Sequence, residues 1–157
     1  MVAHPEDHRK LWLESIVKEK GYTKGVELGV HEGVTFRHMQ EACPDLTWYG
    51  VDLWTHRPVF ERWYHVLKSE FNELLYREST FTAHNHFEDQ SLDIVFIDAD
   101  HSYSSVKKDI QNWLPKIKPG GIISGHDINQ SYTLQAVEET IGSSYNKGPD
   151  LIWYKEV

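Results

Sequence analysis

The sequence predicts an α/β domain in which a mostly parallel sheet is covered by helices on both faces, and three observations predict it. Short apolar runs of strand length, Val26 to Val30, Ile94 to Ile97 and Ile122 to Ser124, alternate with segments whose apolar residues recur at helical spacing. The runs Ile94 to Ile97 and Ile122 to Ser124 are unbroken, as strands buried on both faces of a parallel sheet must be. Glycines and acids follow the strands, at Glu27-Leu28-Gly29, Asp52, Asp98 and Asp127, and in a doubly wound sheet these positions share one edge.

Leu13, Ile16 and Val17 recur at helical spacing after the acidic pair Glu6-Asp7, and Gly21 follows, so a first helix is expected from about Glu6 to Lys20. Val26 to Val30, between Gly25 and a turn at Gly33, is the first strand, and Thr35 to Ala42 the next helix. Trp48 to Trp54 reads as the second strand, with Asp52 at its end. Phe60, Trp63, Leu67, Phe71 and Leu74 form the stripe of a long amphipathic helix. Tyr76 to Phe81 is read as a strand and Thr82 to Phe87 as a short helix, after which Ser91-Leu92-Asp93 leads into the strand Ile94 to Ile97. Val106, Ile110, Leu114 and Ile117 make a helix closed by Lys116, Lys118 and the breaker Pro119-Gly120-Gly121. Ile122 to Ser124 is a strand followed by His126-Asp127, Leu134 to Ile141 is helical, and Leu151 to Lys155 is the last strand. Gly142 to Asp150 leaves room for one very short strand at most. The expected sheet therefore has six to seven strands, the first five parallel and the C-terminal strand antiparallel.

At 157 residues the chain has the size of one domain, 1–157, with 1–24 forming an N-terminal helix packed on the core. Its apolar fraction of 39% and aromatic fraction of 13% belong to a globular protein. A net charge of −8, with Lys107-Lys108 as the longest basic run, gives nucleic acid no footprint to recognise. No run approaches the ~18 apolar residues of a membrane span. The lone Cys43 cannot form an internal disulfide, and the polar start Met1-Val2-Ala3-His4-Pro5-Glu6 lacks a signal peptide's apolar core, so a cytoplasmic setting is expected.

The chemistry is expected at the strand ends. Glu27-x-Gly29-x-x-x-Gly33 is a glycine turn between strand and helix, where absent side chains let a ligand approach the backbone. Its spacing is not G-x-G-x-x-G, and Glu27 and Glu32 flank the position a pyrophosphate would take at the helix N-terminus, which disfavours a nicotinamide dinucleotide. A sulfonium cofactor with an amino-acid tail carries no phosphate and gains from nearby carboxylates. Asp52, 25 residues beyond Glu27, is placed to accept hydrogen bonds from both hydroxyls of a ribose.

Four segments in order carry a family resemblance: Val26-Glu27-Leu28-Gly29-Val30-His31-Glu32-Gly33, Tyr49-Gly50-Val51-Asp52-Leu53-Trp54, Phe96-Ile97-Asp98-Ala99-Asp100-His101-Ser102-Tyr103, and Lys118-Pro119-Gly120-Gly121-Ile122-Ile123-Ser124-Gly125-His126-Asp127. They resemble class I S-adenosylmethionine-dependent methyltransferases, nearest to the group that contains metal-assisted antibiotic-sugar O-methyltransferases. The resemblance covers roughly Gly25 to Asp127. It implies a Rossmann-like fold and S-adenosylmethionine bound by Glu27, Gly29, Gly33, Asp52 and Asp98, with the adenine near Ser79 and Phe81. It also implies Mg²⁺ or another divalent cation beside the acceptor hydroxyl, held by Asp98 and Asp127. The neighbours of Asp127 are His126 and Ile128, where the family places a second carboxylate or an asparagine. His101 or His126 nearby suits a softer metal than Mg²⁺.

Methyl transfer to a hydroxyl needs in-line positioning and removal of a proton. His101 and Asp100 are the candidate bases, His101 having the more suitable intrinsic pKa, about 6.5. Alternatively, His101 or Asp100 caps the helix that begins near Ser102. Asp98, Asp100 and Asp127 gather with no Lys or Arg in either motif, so a divalent cation, the sulfonium or a protonated His101 or His126 is expected to balance them. The expected acceptor is a small hydroxylated molecule such as a sugar or glycoside. Little chain remains for a lid, so a second copy in a homo-oligomer is the expected cover. The competing reading is a non-catalytic module that keeps the fold and works through a partner.

Overall fold

The computed structural model describes residues 5–55 and 57–157, with the side chains of residues 5–7 not described. The readings placed on Met1 to His4, and on the side chains of Glu6 and Asp7, thus lie outside the described residues. Along the chain run α1 (Pro5–Lys20), β1 (Lys24–Leu28), α2 (Val34–Ala42), β2 (Thr47–Asp52), α3 (Pro58–Phe71), β3 (Leu75–Arg77), α4 (Thr80–Ala83), β4 (Leu92–Ile97), α5 (Tyr103–Trp113), β5 (Ile117–Gly125), α6 (Ser131–Ile141), β6 (Asn146–Lys147) and β7 (Trp153–Glu156). The seven strands form one sheet in the order β3-β2-β1-β4-β5-β7-β6. The first five are mutually parallel. β7 joins β5 antiparallel, and the two-residue β6 completes the edge.

Side chains alternate across this sheet with the period of two that strands impose. Val26, Leu28, Val95, Ile97 and Ile123 face a core that contains Val106, Ile110 and Trp113 of α5 and Ala136, Val137 and Ile141 of α6. Ile94, Phe96, Ile122 and Trp48 face the other core, with Leu13 and Val17 of α1, Phe36 and Met39 of α2 and Leu67 of α3. α1 to α3 thus cover one face and α4 to α6 the other. Chain order turns back between β1 and β4, which places a ligand crevice at the carboxyl ends of those two strands.

Several boundaries differ from the sequence reading: β2 ends at Asp52, α3 at Phe71 and α5 at Trp113, the two helices each followed by a 3₁₀ turn, and β7 begins at Trp153. β1 begins at Lys24 and ends at Leu28, because Gly29 turns into the left-handed region at φ 89°. β3 is Leu75–Arg77 and stops short of Phe81, because Ser79 caps α4 by accepting a hydrogen bond from the Phe81 backbone N–H. The helix read at Thr82 to Phe87 is α4 followed by a 3₁₀ turn at His84–His86. Pro119-Gly120-Gly121 is not a break between helix and strand: β5 runs through it from Ile117, and the register against β4 shifts between Leu92 and Ile94. The bulge is anchored at Asp93, whose carboxylate accepts from the Thr23 and Lys24 backbone N–H groups and from Lys118 Nζ.

Both glycines of the first turn are packing requirements. A Cβ on Gly29 would lie 2.1 Å from the Asp98 carbonyl oxygen, and one on Gly33 would lie 2.7 Å from Leu67 Cδ2. Gly29→Ala is therefore expected to combine overpacking, about 1–3 kcal/mol, with a left-handed backbone cost of about 1–2 kcal/mol. Thermal unfolding should show a melting temperature lower by roughly 5–15 °C.

Candidate active site

A crevice of about 600 Å³ opens at the carboxyl ends of β1, β2, β4 and β5. Glu27, Gly29, Gly33, Asp52, Ser79, Phe81, Asp98, Asp100, His101 and Asp127, the residues singled out from the sequence, all line it. Their distances and partners distinguish what each can do.

Glu27 is 3% exposed and accepts a hydrogen bond from Trp48 Nε1 at 3.2 Å. Burial pushes its carboxyl up to about 8, the Trp48 bond opposing and the charge of Asp98 adding to the rise. Asp52 accepts two backbone N–H groups, from His31 at 2.9 Å and from Trp54 at 2.9 Å. Both donors belong to residues in the left-handed region, His31 at φ 56° and Trp54 at φ 46°, and Trp54 Nε1 also donates to the His31 carbonyl. Asp52 therefore fixes two strained turns at once, and its carboxylate, with about four acceptor sites, keeps capacity for a ligand's hydroxyls.

At the end of β4 a cation that the sequence reading did not name, Arg9 of α1, meets the acids. Arg9 Nη1 donates to Asp98 Oδ2 at 2.5 Å, and Arg9 Nε lies 3.8 Å from Asp150 Oδ2. Burial still raises the Asp98 carboxyl to about 6 despite Arg9, His126 and His101 nearby. Neither Arg9 nor Asp150 was found from sequence. Arg9 had a usable signal, since it precedes Leu13 by one helical turn and Val17 by two and so belongs to the buried face of α1. Asp150 had none, lying in the turn between β6 and β7 at φ 52°.

The acid corner is linked through two imidazoles. His101 Nδ1 lies 3.1 Å from Asp127 Oδ2, and His126 Nδ1 lies 3.2 Å from Asp127 Oδ1 and 3.9 Å from Asp98 Oδ1. His126 Nε2 reaches toward Asp150 Oδ2 at 3.6 Å. Asp100 is engaged elsewhere: it accepts from the Ser102 N–H and hydroxyl, each at 3.1 Å, and from Ser105 Oγ at 2.7 Å. These donors, Ser105 first, hold its carboxyl below the ordinary range. Ser102 is the N-cap of α5, accepting from the Ser105 N–H, so Asp100 braces that cap and is the weaker base of the pair. His84 and His86 diverge: His86 bonds Glu78 and stacks on Tyr76, while His84 lies edge-on to Trp113.

Ligand atoms of Asp98, His101 and Asp127 lie within 4.8 Å of one another, so three donors converge for a divalent cation. Two carboxylates and one imidazole fit such an ion in number and type. In the described arrangement, however, one Asp98 oxygen holds Arg9 and both Asp127 oxygens face imidazole nitrogens, so a bound ion would share these groups with their present partners.

Three carboxyls with raised pKa, buried Glu27 and Asp109 and half-buried Asp98, make the fold pH-sensitive: Glu27 at about 8, Asp98 at about 6 and Asp109 of α5 at about 7. In the unfolded chain they ionise near pH 4. Their contribution to stability is complete below that pH and is lost as pH rises through the folded values. Glu14, Asp93 and Asp100, shifted down, have completed their opposite contribution by about pH 5. The melting temperature is expected to fall between about pH 5 and pH 8.5, and Glu27→Gln should flatten the slope measured by calorimetry.

The family described as "Methyltransferase domain" matches residues 26–128. A curated relative, the uncharacterized protein y4gI of Sinorhizobium fredii, is 29% identical over 173 residues, spanning 94% of this chain and 18% of its own length. The chain thus corresponds to less than a fifth of that relative. Among solved structures, CalS11, a TDP-rhamnose 3′-O-methyltransferase of calicheamicin biosynthesis, is similar with a TM-score of 0.72 at 13% identity, over 94% of this chain and 78% of its own. The O-methyltransferase TomG from Streptomyces achromogenes, involved in tomaymycin synthesis and solved with S-adenosylmethionine, gives 0.71 at 14% identity, over 100% and 81%. These likenesses show the Rossmann-like fold. With a family match that runs from β1 through the end of β5, the chain belongs to the methyltransferase-domain family.

Proposed function

We propose that the chain transfers a methyl group from S-adenosylmethionine to the hydroxyl of a small molecule such as a sugar or glycoside. The observation that carries this is the convergence, in one crevice, of Glu27 and Asp52 at one side and the His101–Asp127 pair at the other. The sugar methyltransferase and the S-adenosylmethionine-bound neighbour support the choice of cofactor and acceptor class.

The cofactor, when bound, supplies an electrophilic methyl on a sulfonium centre. Glu27 and Asp98 offer carboxyls whose ionised forms such a positive centre favours, and Asp52 accepts the ribose hydroxyls. Ser79 and Phe81 flank the adenine. Asp127 at Nδ1 favours the His101 tautomer with its proton on that nitrogen, leaving Nε2 as an acceptor for the substrate's proton. The His101 side chain is 44% exposed, so an acceptor can reach it. A second reading, in which Mg²⁺ or another divalent cation adds positive charge beside the acceptor oxygen, is favoured by the convergence of Asp98, His101 and Asp127. The proposal places the enzyme in the cytoplasm, with a second copy covering the acceptor, and with neither nucleic acid nor membrane as partner; no helix among the described residues is long and apolar enough to cross a membrane.

Asp52→Ala should cost about 1.5–3 kcal/mol of binding to S-adenosylhomocysteine, read by calorimetric titration. An unchanged affinity would place the ribose elsewhere. His101→Asn should abolish turnover of an accepted substrate while leaving that titration nearly unchanged. Full activity in EDTA would remove the cation and keep the base, whereas full activity of His101→Asn would remove the base.

A further inference from the structure

Asp109 is a buried acid that none of the foregoing steps uses. It lies on α5 one helical turn beyond Ser105, so the two share a face, and both line the crevice with Ser79, Thr80 and Phe81. It is 1% exposed, and neither carboxylate oxygen makes a well-formed hydrogen bond. Buried carboxyl oxygens short of well-formed hydrogen bonds are costly, and a ligand's donor and acceptor would complete them. Around it Lys108 Nζ lies 4.4 Å over the Phe81 ring, Trp113 Nε1 is already committed to the Thr80 carbonyl, and the acids Glu78 and Asp100 line the same crevice.

We propose that Asp109 reads the amino edge of the cofactor's adenine as a neutral carboxylic acid. A protonated carboxyl presents one donor and one acceptor side by side, which matches adenine's 6-amino group and an adjacent ring nitrogen as an Asn or Gln amide does. The carboxyl has reason to stay neutral. Burial raises it to about 7; Thr80 and Lys108 temper the rise, and the negative charge of Asp100 adds to it. As pH climbs through that value the donor is lost and one hydrogen bond to the ring with it.

This inference rests on the cofactor reading above, and one set of titrations separates the two. S-adenosylhomocysteine and its analogue whose purine lacks the 6-amino group are titrated into the wild-type chain, Asp109→Asn and Asp109→Ala, at about pH 6 and pH 8.5. Asp109→Asn should keep the wild-type affinity at the lower pH and show a smaller loss at the higher one, because its amide does not ionise. Asp109→Ala should lose about tenfold for S-adenosylhomocysteine and clearly less for the analogue, since the partner group is absent there. Equal losses for both ligands, or none for either, would reduce Asp109 to a structural residue and leave the cofactor reading intact. Failure of the wild-type chain to bind S-adenosylhomocysteine would overturn both.

Discussion

The close approach of the ends of β1 and β4 is the constraint on which the site depends. Gly29 N–H donates to the Val51 carbonyl and Asp98 N–H to the Leu28 carbonyl, so the ladder continues one residue past the strands, with no room for a Cβ between Gly29 and the Asp98 carbonyl. This contact sets Glu27, Asp52 and Asp98 on one rim, because β1 lies between β2 and β4 in register. It also turns the meaning of the glycine motif. The missing side chains serve first to let the protein's own backbone and Leu67 close up.

Packing three strand ends together concentrates negative charge, to which the last turn adds another acid while the first helix supplies a cation. Arg9 arrives from α1 and Asp150 from the β6–β7 turn, and His126 stands between Asp98, Asp127 and Asp150. A guanidinium on a carboxylate in a sheltered place is a strong, directional interaction. It therefore fixes α1 against the sheet edge as well as balancing Asp98. The N-terminal helix is thus part of the site through Arg9 and part of the core through Leu13 and Val17.

What the sequence revealed follows from the range of the signals involved. Strand ends and their acids are local patterns, and Glu27, Asp52, Asp98 and Asp127 were legible because each is fixed by its own strand. The antiparallel β7 and the very short β6 were legible from chain length alone. Arg9, Asp109 and Asp150 were not seen as site residues, because their roles depend on how α1, α5 and the last turn dock on the sheet, a tertiary matter that periodicity narrows to a face at best. The β5 boundary failed for a related reason. Pro119-Gly120-Gly121 has the local grammar of a break, but strand pairing with β4 and β7 carries the chain through it as a bulge.

The environments sort the acids by role. Asp100, with three hydroxyl and N–H donors, is kept ionised and committed to the start of α5, so it has little tendency to take a proton. Glu27, Asp98 and Asp109 are raised by burial, so each is ready to exchange its proton when a suitable partner arrives. The partners differ along the crevice. Under the proposed binding, a positive centre beside Glu27 and Asp98 would favour ionisation, while a ring nitrogen beside Asp109 would favour retention of the proton. With the cofactor bound as proposed, the protonation of these carboxyls would differ between the sulfonium and the adenine, which would favour one orientation of the ligand. His101, exposed and paired with Asp127, stands on the Asp98 side of the crevice, so under the proposed reaction the group that accepts the proton lies beside the methyl donor.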